Sequence, residues 1–437
     1  MTIFIVLLTI IVLVLMITWG KINPFLAFLV VSIVGGLFLG IPFNKITGSV
    51  QKGIGDTLGT LVIIIVLGAM LGKLVAESGA AQKIATVLMK TFGEKNIQWA
   101  LMVTGFIVGI PLFYNVGFVL MIPLIFSVVY QYKLPAVYIG LPMLASLSVT
   151  HGFLPPHPSP TALVGQFHAN MGITLLYGIT IAIPAVIIAG PIFAKTLKGI
   201  NSVPLQTFQT NELPAEKLPG AINSFLTSLL PVILLIVTTI LPFIIAKDSS
   251  LQTILAFVAD PVVVMLVALA VATWSLGISM GRNMKAIMFL YADSVKDVAV
   301  ILLIVAGAGT LKQVFIDSGV SNHIGSLFMG WHINPLILGW LIACIIRVCV
   351  GSATVAGLTT AGIIAPIMMQ TSVDPNLMVL SIGAGSLMFS HVNDSGFWMF
   401  KEYFNLSIKD TIRSWSLMET IVAIVGLLGV LLLDIFI

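Results

Sequence analysis

Apolar residues in this chain gather in windows of about twenty, separated by short polar breaks, instead of alternating with polar residues as in half-buried elements. Ten windows are long enough to cross about 30 Å of hydrocarbon as helices. They are 2–20, 24–42, 59–77, 135–168, 172–195, 224–246, 256–276, 298–317, 376–400 and 414–437, with 135–168 and 376–400 interrupted internally. The first lacks the basic leader and small-residue cleavage site of a secretory signal and is read as a retained helix. Two further stretches, 97–132 and 335–370, are too long for one crossing and too short for two. The first breaks between Gly109 and Gly117, the second between Gly351 and Gly357. Non-helical backbone at membrane depth survives only where protein or a wet cavity satisfies its amides. The pattern therefore predicts two re-entrant hairpins with polar tips; a single kinked, steeply tilted helix is the alternative in each case.

Composition sharpens this reading. Of 437 residues 59% are apolar and 8% charged, with mean hydropathy +1.14, whereas soluble domains carry about 25% charged residues. A soluble globule is excluded, and a net charge of +4 on so apolar a chain does not speak for nucleic acid. The cations mark topology instead. With the N-terminus outside, the cytoplasmic segments hold Lys21, Lys83, Lys90, Lys95, Lys133, Lys195, Lys198, Lys217, Arg282, Lys285, Lys296, Lys401, Lys409 and Arg413, and the outer segments only Lys45, Lys52 and Lys247. Both termini then face out, and 199–223 is a cytoplasmic linker. Lys73 and Lys312, near helix ends, are expected to snorkel to the headgroups. Cys344 and Cys349 share one apolar segment and build neither a disulfide scaffold nor a CxxC site.

The chain also matches itself at an offset of 240 positions. Leu74-Val75-Ala76-Glu77-Ser78-Gly79 aligns with Val314-Phe315-Ile316-Asp317-Ser318-Gly319, and Ser146-Leu147-Ser148-Val149-Thr150-His151 with Ser386-Leu387-Met388-Phe389-Ser390-His391. The N-terminal repeat is then 1–198 and the C-terminal repeat 224–437, each with three spans, a hairpin, an interrupted span and a final span. Five crossings per copy invert the second, an all-α architecture of inverted repeats and midplane breaks that secondary transporters use.

Candidate chemistry sits at the interruptions. The run Ser148 to Thr161 contains Pro155, Pro156, Pro158 and Pro160, which forbid a continuous helix, and Ser159-Pro160 reads as the N-cap and first residue of its restart. The second interruption, Ser390-His391-Val392-Asn393-Asp394-Ser395-Gly396, places an acid where an ionisable group needs a partner, a proton or water. Restarting half-helices aim free N–H groups inward and suit a carboxylate. Asn115, Thr150, His151, Ser159, Thr161, Ser352, Thr354, His391, Asn393 and Ser395 are the candidate substrate ligands, and Asp394, His151 and His391 the candidate proton carriers. The bland readings stay open beside these. Asp394 can cap a helix, the histidines can brace broken backbone, His157 can be loop architecture, and Arg347 can bind the substrate or pair with a carbonyl or Asp394. Asp260-Pro261 reads as an N-cap pair. No HExxH or HxxxH helix supports a metal site, so none is expected.

At these residues the chain resembles the gluconate permease family, gluconate:proton symporters that also include D-serine and other hydroxy-acid carriers. The resemblance runs nearly end to end. It is carried by Gly68-Ala69-Met70-Leu71-Gly72-Lys73, the stretch Ser148 to Thr161, Gly351-Ser352-Ala353-Thr354-Val355-Ala356, and Ser390-His391-Val392-Asn393-Asp394 through Trp398. It implies a homodimeric carrier of the wider ion-transporter superfamily in the bacterial cytoplasmic membrane, with a small carboxylate substrate and a proton, or alternatively sodium, as the coupling ion. No other cofactor is implied. The family commonly has an acid at Asn115 and glycine at Ser159; an amide at 115 cannot release a proton. That departure implies a coupling variant, an engineered form, or reliance on Asp394 and the histidines. A channel would want a continuous polar pore, and an enzyme a nucleophile and base in one copy only.

Overall fold

Helix starts in this chain are written as an acceptor side chain followed by proline, whose missing N–H costs nothing in the first turn. Asn23, Asp260, Asn334 and Asp374 each precede a proline and accept from a backbone N–H two residues on, at 2.9, 2.8, 2.8 and 2.6 Å. The computed structural model describes residues 1–110, 114–155, 157–205, 213–240, 251–320, 323, 333–368 and 371–437, and every regular element among them is helical. Those elements are α1 (Thr2–Thr18), α2 (Pro24–Phe38), α3 (Phe43–Glu77), α4 (Ala80–Gly109), α5 (Tyr114–Tyr132), α6 (Ala136–Phe153), α7 (Pro158–Gln166), α8 (Met171–Ile187), α9 (Ala221–Ser228) and α10 (Leu230–Ile240). They continue with α11 (Leu251–Val258), α12 (Pro261–Ala272), α13 (Met284–Asp317), α14 (Pro335–Val350), α15 (Ala353–Met368), α16 (Pro375–Gly385), α17 (Ser395–Tyr403), α18 (Ile408–Thr411) and α19 (Leu417–Phe436). Seven described helical stretches are long and apolar enough to cross a membrane, and five shorter apolar helices accompany them.

The windows differ from the helices in informative ways. Helix α3 begins at Phe43 and α13 at Met284, so Lys45, Lys52, Lys285 and Lys296 are helical residues instead of loop markers. At about 1.5 Å per residue these helices of 35 and 34 residues outrun the hydrocarbon thickness. The span predicted at 256–276 starts only at Pro261, where Asp260 caps it. Residues 241–246 of the window 224–246, and 369–370 of the stretch 335–370, lie outside the described residues.

Both tip breaks are narrower than their glycines suggested. Helix α14 stops at Gly351 (φ +75°), whose N–H donates to the Arg347 carbonyl at 2.8 Å, and α15 restarts at Ala353, so Thr354 to Gly357 are helical. The other tip is already helical again at Tyr114, with 111–113 outside the described residues. One left-handed residue suffices to turn a chain, and glycines at ordinary helical dihedrals do not break it. The interrupted spans appear as α6 and α7 around 154–157 and as α16 and α17 around 386–394. Helix α7 restarts at Pro158 with His157 as its N-cap, one residue before the predicted cap Ser159-Pro160; His157 makes no side-chain capping bond.

Packing is organised by two crossings. Helices α3 and α13 lie along one another, with α2 against α13. They meet backbone to backbone at Gly53 and Gly309, where a Cβ on either would collide with the other helix, and Ser32 and Thr310 share a buried hydroxyl contact of 2.8 Å beside them. Second, α4 packs on α6 and α14 on α16, while α15 lies against α7. Helices α5 and α6 are buried almost all round, whereas α1 and α19 expose Phe4, Leu8, Ile11, Leu428 and Leu432.

Because the Gly53–Gly309 contact leaves no room for a side chain, Gly309→Val should destabilise the protein by about 1–3 kcal/mol or more. A thermal-unfolding series in detergent checks this, with Gly55→Ala, which meets nothing within 4 Å, expected near wild type.

Candidate functional site

The helix breaks converge on one cavity of about 640 Å³, within the roughly 300–1,000 Å³ usual for small-molecule sites. Exposed Asp56 and Asp260 lie at its rim; Tyr114, Arg347, Asn393 and Glu419 form its buried end. The first turns of α5, α15 and α17 contribute Tyr114, Asn115 and Val116, Ala353 and Thr354, and Ser395 and Gly396. Helix N-termini carry unbonded N–H groups and partial positive charge, so this wall favours an anion.

The second tip is tied to the second break by a buried ion pair. Arg347 Nη2 lies 2.5 Å from Asp394 Oδ2, with side chains 5% and 13% exposed. The Asp394 carboxylate also accepts from Ser390 Oγ and from the Gly396 N–H at 3.1 Å, which makes it the N-cap of α17. Trp415 Nε1 donates to Ser390 Oγ at 2.8 Å, so an indole, a hydroxyl and a guanidinium all bear on one acid. Asp394 is therefore both cap and ion-pair partner, and the partner of Arg347 is Asp394.

Freed carbonyls are satisfied by the same side chains. His391 Nε2 and Asn393 Nδ2 donate to the Val348 carbonyl at 2.9 and 2.7 Å, and Asn393 Nδ2 reaches that of Cys349 at 3.2 Å. Since a carbonyl only accepts, the His391 proton is on Nε2. On the other side His157 Nε2 donates to the Gly109 carbonyl at 2.8 Å, its ring edge-on to His151 at 5.1 Å. A Cβ at Gly351 would collide with the Asn393 backbone, so the tip needs glycine for its dihedral and for this approach.

Of the predicted ligands, Asn115, His151, Ser352, Thr354, Asn393, Asp394 and Ser395 line the cavity. Thr150, Ser159, Thr161 and His391 stand behind its lining. The Thr150 hydroxyl donates to the carbonyls of Ser146 and Leu147, each at 3.0 Å, and Ser159 packs against Gly357 across the α7–α15 contact. Lys312, expected to snorkel, lines the cavity half-buried. Sequence reasoning passed over Glu419. It is 1% exposed in α19, accepts from Ser148 Oγ at 2.6 Å, and its Oε2 has no hydrogen-bond partner. The available signal was an acid within the apolar window 414–437, conspicuous by cost alone.

Several buried polar atoms around the cavity lack partners: Tyr114 Oη, His151 Nδ1, Arg347 Nε, Asn393 Oδ1 and Glu419 Oε2. Buried polar atoms are nearly always bonded, so unpartnered atoms gathered among the lining residues of one cavity mark it as the candidate site.

Apolar spans packed around a cavity of broken helix ends define a multi-pass membrane protein. The chain belongs to the GntP family permeases, whose profile matches residues 1–436. It is 47% identical to the high-affinity gluconate transporter of Escherichia coli over 99% of both chains. It is 45% identical to the Gnt-II system L-idonate transporter of the same organism, over 95% of this chain and 94% of that one. A gluconate permease of Bacillus subtilis is 44% identical over 99% of both. Its relatives are transporters and permeases, and this protein is not an enzyme.

Breaking the buried pair strands a charge, so Arg347→Gln or Asp394→Asn alone should cost about 3–5 kcal/mol of stability. The double variant Arg347→Met with Asp394→Leu should recover much of it while leaving transport impaired. Thermal unfolding of the purified variants, read beside uptake, separates the two effects.

Proposed function

We propose that the protein takes up gluconate or a closely related sugar acid across the bacterial cytoplasmic membrane, coupled to protons. The observation that carries this reading is a cavity walled by helix N-termini whose lining residues hold a group of unpartnered buried polar atoms. The helix ends supply the electrostatics for a carboxylate, and Ser352, Thr354, Asn393, Ser395 and Asn115 supply hydroxyl and amide partners for a polyol chain. Gluconate and L-idonate transporters among the relatives support the sugar-acid class. The pairing of α4 with α6 and of α14 with α16 supports reading the halves as inverted repeats, with the tips at 97–132 and 335–370 re-entrant.

Charge calls for a co-transported cation. A monovalent anion entering alone moves against an inside-negative potential, at about 2.3 kcal/mol per 100 mV, whereas anion plus proton is neutral. The proton rides on an ionisable cavity group; Asp394 and His151 line the cavity and His391 braces the tip beside it.

Proteoliposomes loaded at high internal pH should accumulate labelled gluconate, with unlabelled L-idonate and gluconate competing and D-serine and lactate failing to compete. Accumulation driven by sodium and indifferent to pH would overturn proton coupling, and competition by D-serine alone would overturn the sugar acid. Ser352→Ala with Thr354→Ala should raise the half-saturating gluconate concentration roughly tenfold, by removing two hydrogen-bonding groups.

A further inference from the structure

We infer that Glu419, held by Ser148, is the proton-binding site of the transport cycle, an inference that rests on the proton-coupled reading above. Glu419 differs from the other acids at the cavity. Asp394 already has a guanidinium, a hydroxyl and a backbone N–H on its oxygens. Asp56 pairs with Lys52 and Asp260 caps α12, and both are exposed. Glu419 is buried, and among the described residues no cation lies within 4 Å of it. The Ser148 hydroxyl donates to Oε1 at 2.6 Å, while Oε2 is buried without a partner.

That asymmetry suits a carboxylic acid. With the proton on Oε2, the carbonyl-like Oε1 accepts from Ser148, and the O–H on Oε2 is a donor that no group among the described residues takes. With the proton gone, a second negative charge stands in the cavity with the substrate anion, and the two repel. Proton and substrate thus enter together: Glu419–COOH donates to the bound carboxylate, and on the cytoplasmic side the acid releases H⁺ to water, becomes COO⁻ and expels the anion. One proton and one negative charge move per cycle, so the step is balanced without any further reactant.

The charged and titratable groups around Glu419 complete the picture. From α6 come His151 and Ser148, from α14 Arg347, from the second break Asp394, from α5 Tyr114, and from α13 Lys312, all lining the same cavity. Helix α16, packed along α19, brings no titratable side chain, α8 brings Tyr177, α14 also brings Cys344 and Cys349, and the turn 412–416 that leads into α19 brings Arg413. Arg347 is engaged by Asp394, so its charge does not clamp Glu419 in the ionised form. Ser148 is a positioning residue that fixes which oxygen carries the proton.

The test is uptake of labelled gluconate in proteoliposomes by wild type, Glu419→Gln, Glu419→Asp and Ser148→Ala, each first checked for a monodisperse, thermally unfolding preparation. Glu419→Gln should lose gradient-driven accumulation more than tenfold while gluconate counterflow stays detectable and loses its pH dependence. Glu419→Asp should restore part of the accumulation, and Ser148→Ala should keep coupling with a displaced pH profile. Accumulation by Glu419→Gln at the wild-type level, or loss of pH dependence only in Asp394→Asn, would overturn the assignment while leaving proton coupling intact. Wild-type uptake that ignores the proton gradient would overturn the parent reading and this one together. Should Glu419→Gln fail to fold, partial coupling in Glu419→Asp with an altered pH optimum supports the assignment, and wild-type behaviour there overturns it.

Discussion

A helix that stops inside a packed membrane protein leaves carbonyls that must find partners, and satisfying them is the constraint from which the rest of this molecule follows. At the second tip the Val348 and Cys349 carbonyls are taken by Asn393, with His391 also on Val348; at the first, Gly109 is taken by His157. The donors come from the interrupted span of the same half in each case, so a tip and its break hold one another. That interdependence explains why the polar side chains cluster at the breaks, and why several face carbonyls and stand back from the cavity.

Once tips and breaks are clamped, their other ends are free for a ligand. The first turns of α5, α15 and α17 line the cavity, so the partial positive charge of three helix starts falls on it. Backbone geometry alone thus creates an anion-favouring wall. The lining draws on distant parts of the chain, Tyr114 and Ser148 as well as Arg347 and Asp394.

The elements legible in the sequence were those set by local chemistry. The acceptor-proline pair at Asp260 marked a helix start because cap and proline act within one turn, and the same chemistry starts helices at Asn23, Asn334 and Asp374. The prolines of 155–160 and the polar run at 390–396 marked the breaks, and seven of the eleven residues named as ligands or carriers face the cavity. What escaped depends on contacts between distant segments. Glu419 meets Ser148 across 271 positions, and nothing near either residue announces the other. Lys312 resembled a snorkelling cation because its helix end was legible and the cavity beside it was not. The breaks were drawn too wide because glycine composition was read as glycine conformation, whereas only Gly351 at the second tip has a positive φ.

Charge explains why the site does not simply trap its ligand. A lone buried arginine would bind a carboxylate tightly and release it slowly, but the Arg347 charge is cancelled by Asp394 at 2.5 Å, which leaves Nε as a directional donor. Attraction for an anion then comes from helix-end dipoles, each worth about 0.3–1 kcal/mol when exposed and up to about 2 kcal/mol when partly buried, and from half-buried Lys312 near the open side. Several weak, fixed attractions give orientation with modest depth, which a carrier needs because it must load and unload the same molecule in each cycle. The pair at Arg347 and Asp394 pins the second tip to the second break and, on the proposed function, leaves no uncompensated arginine charge to hold the anion.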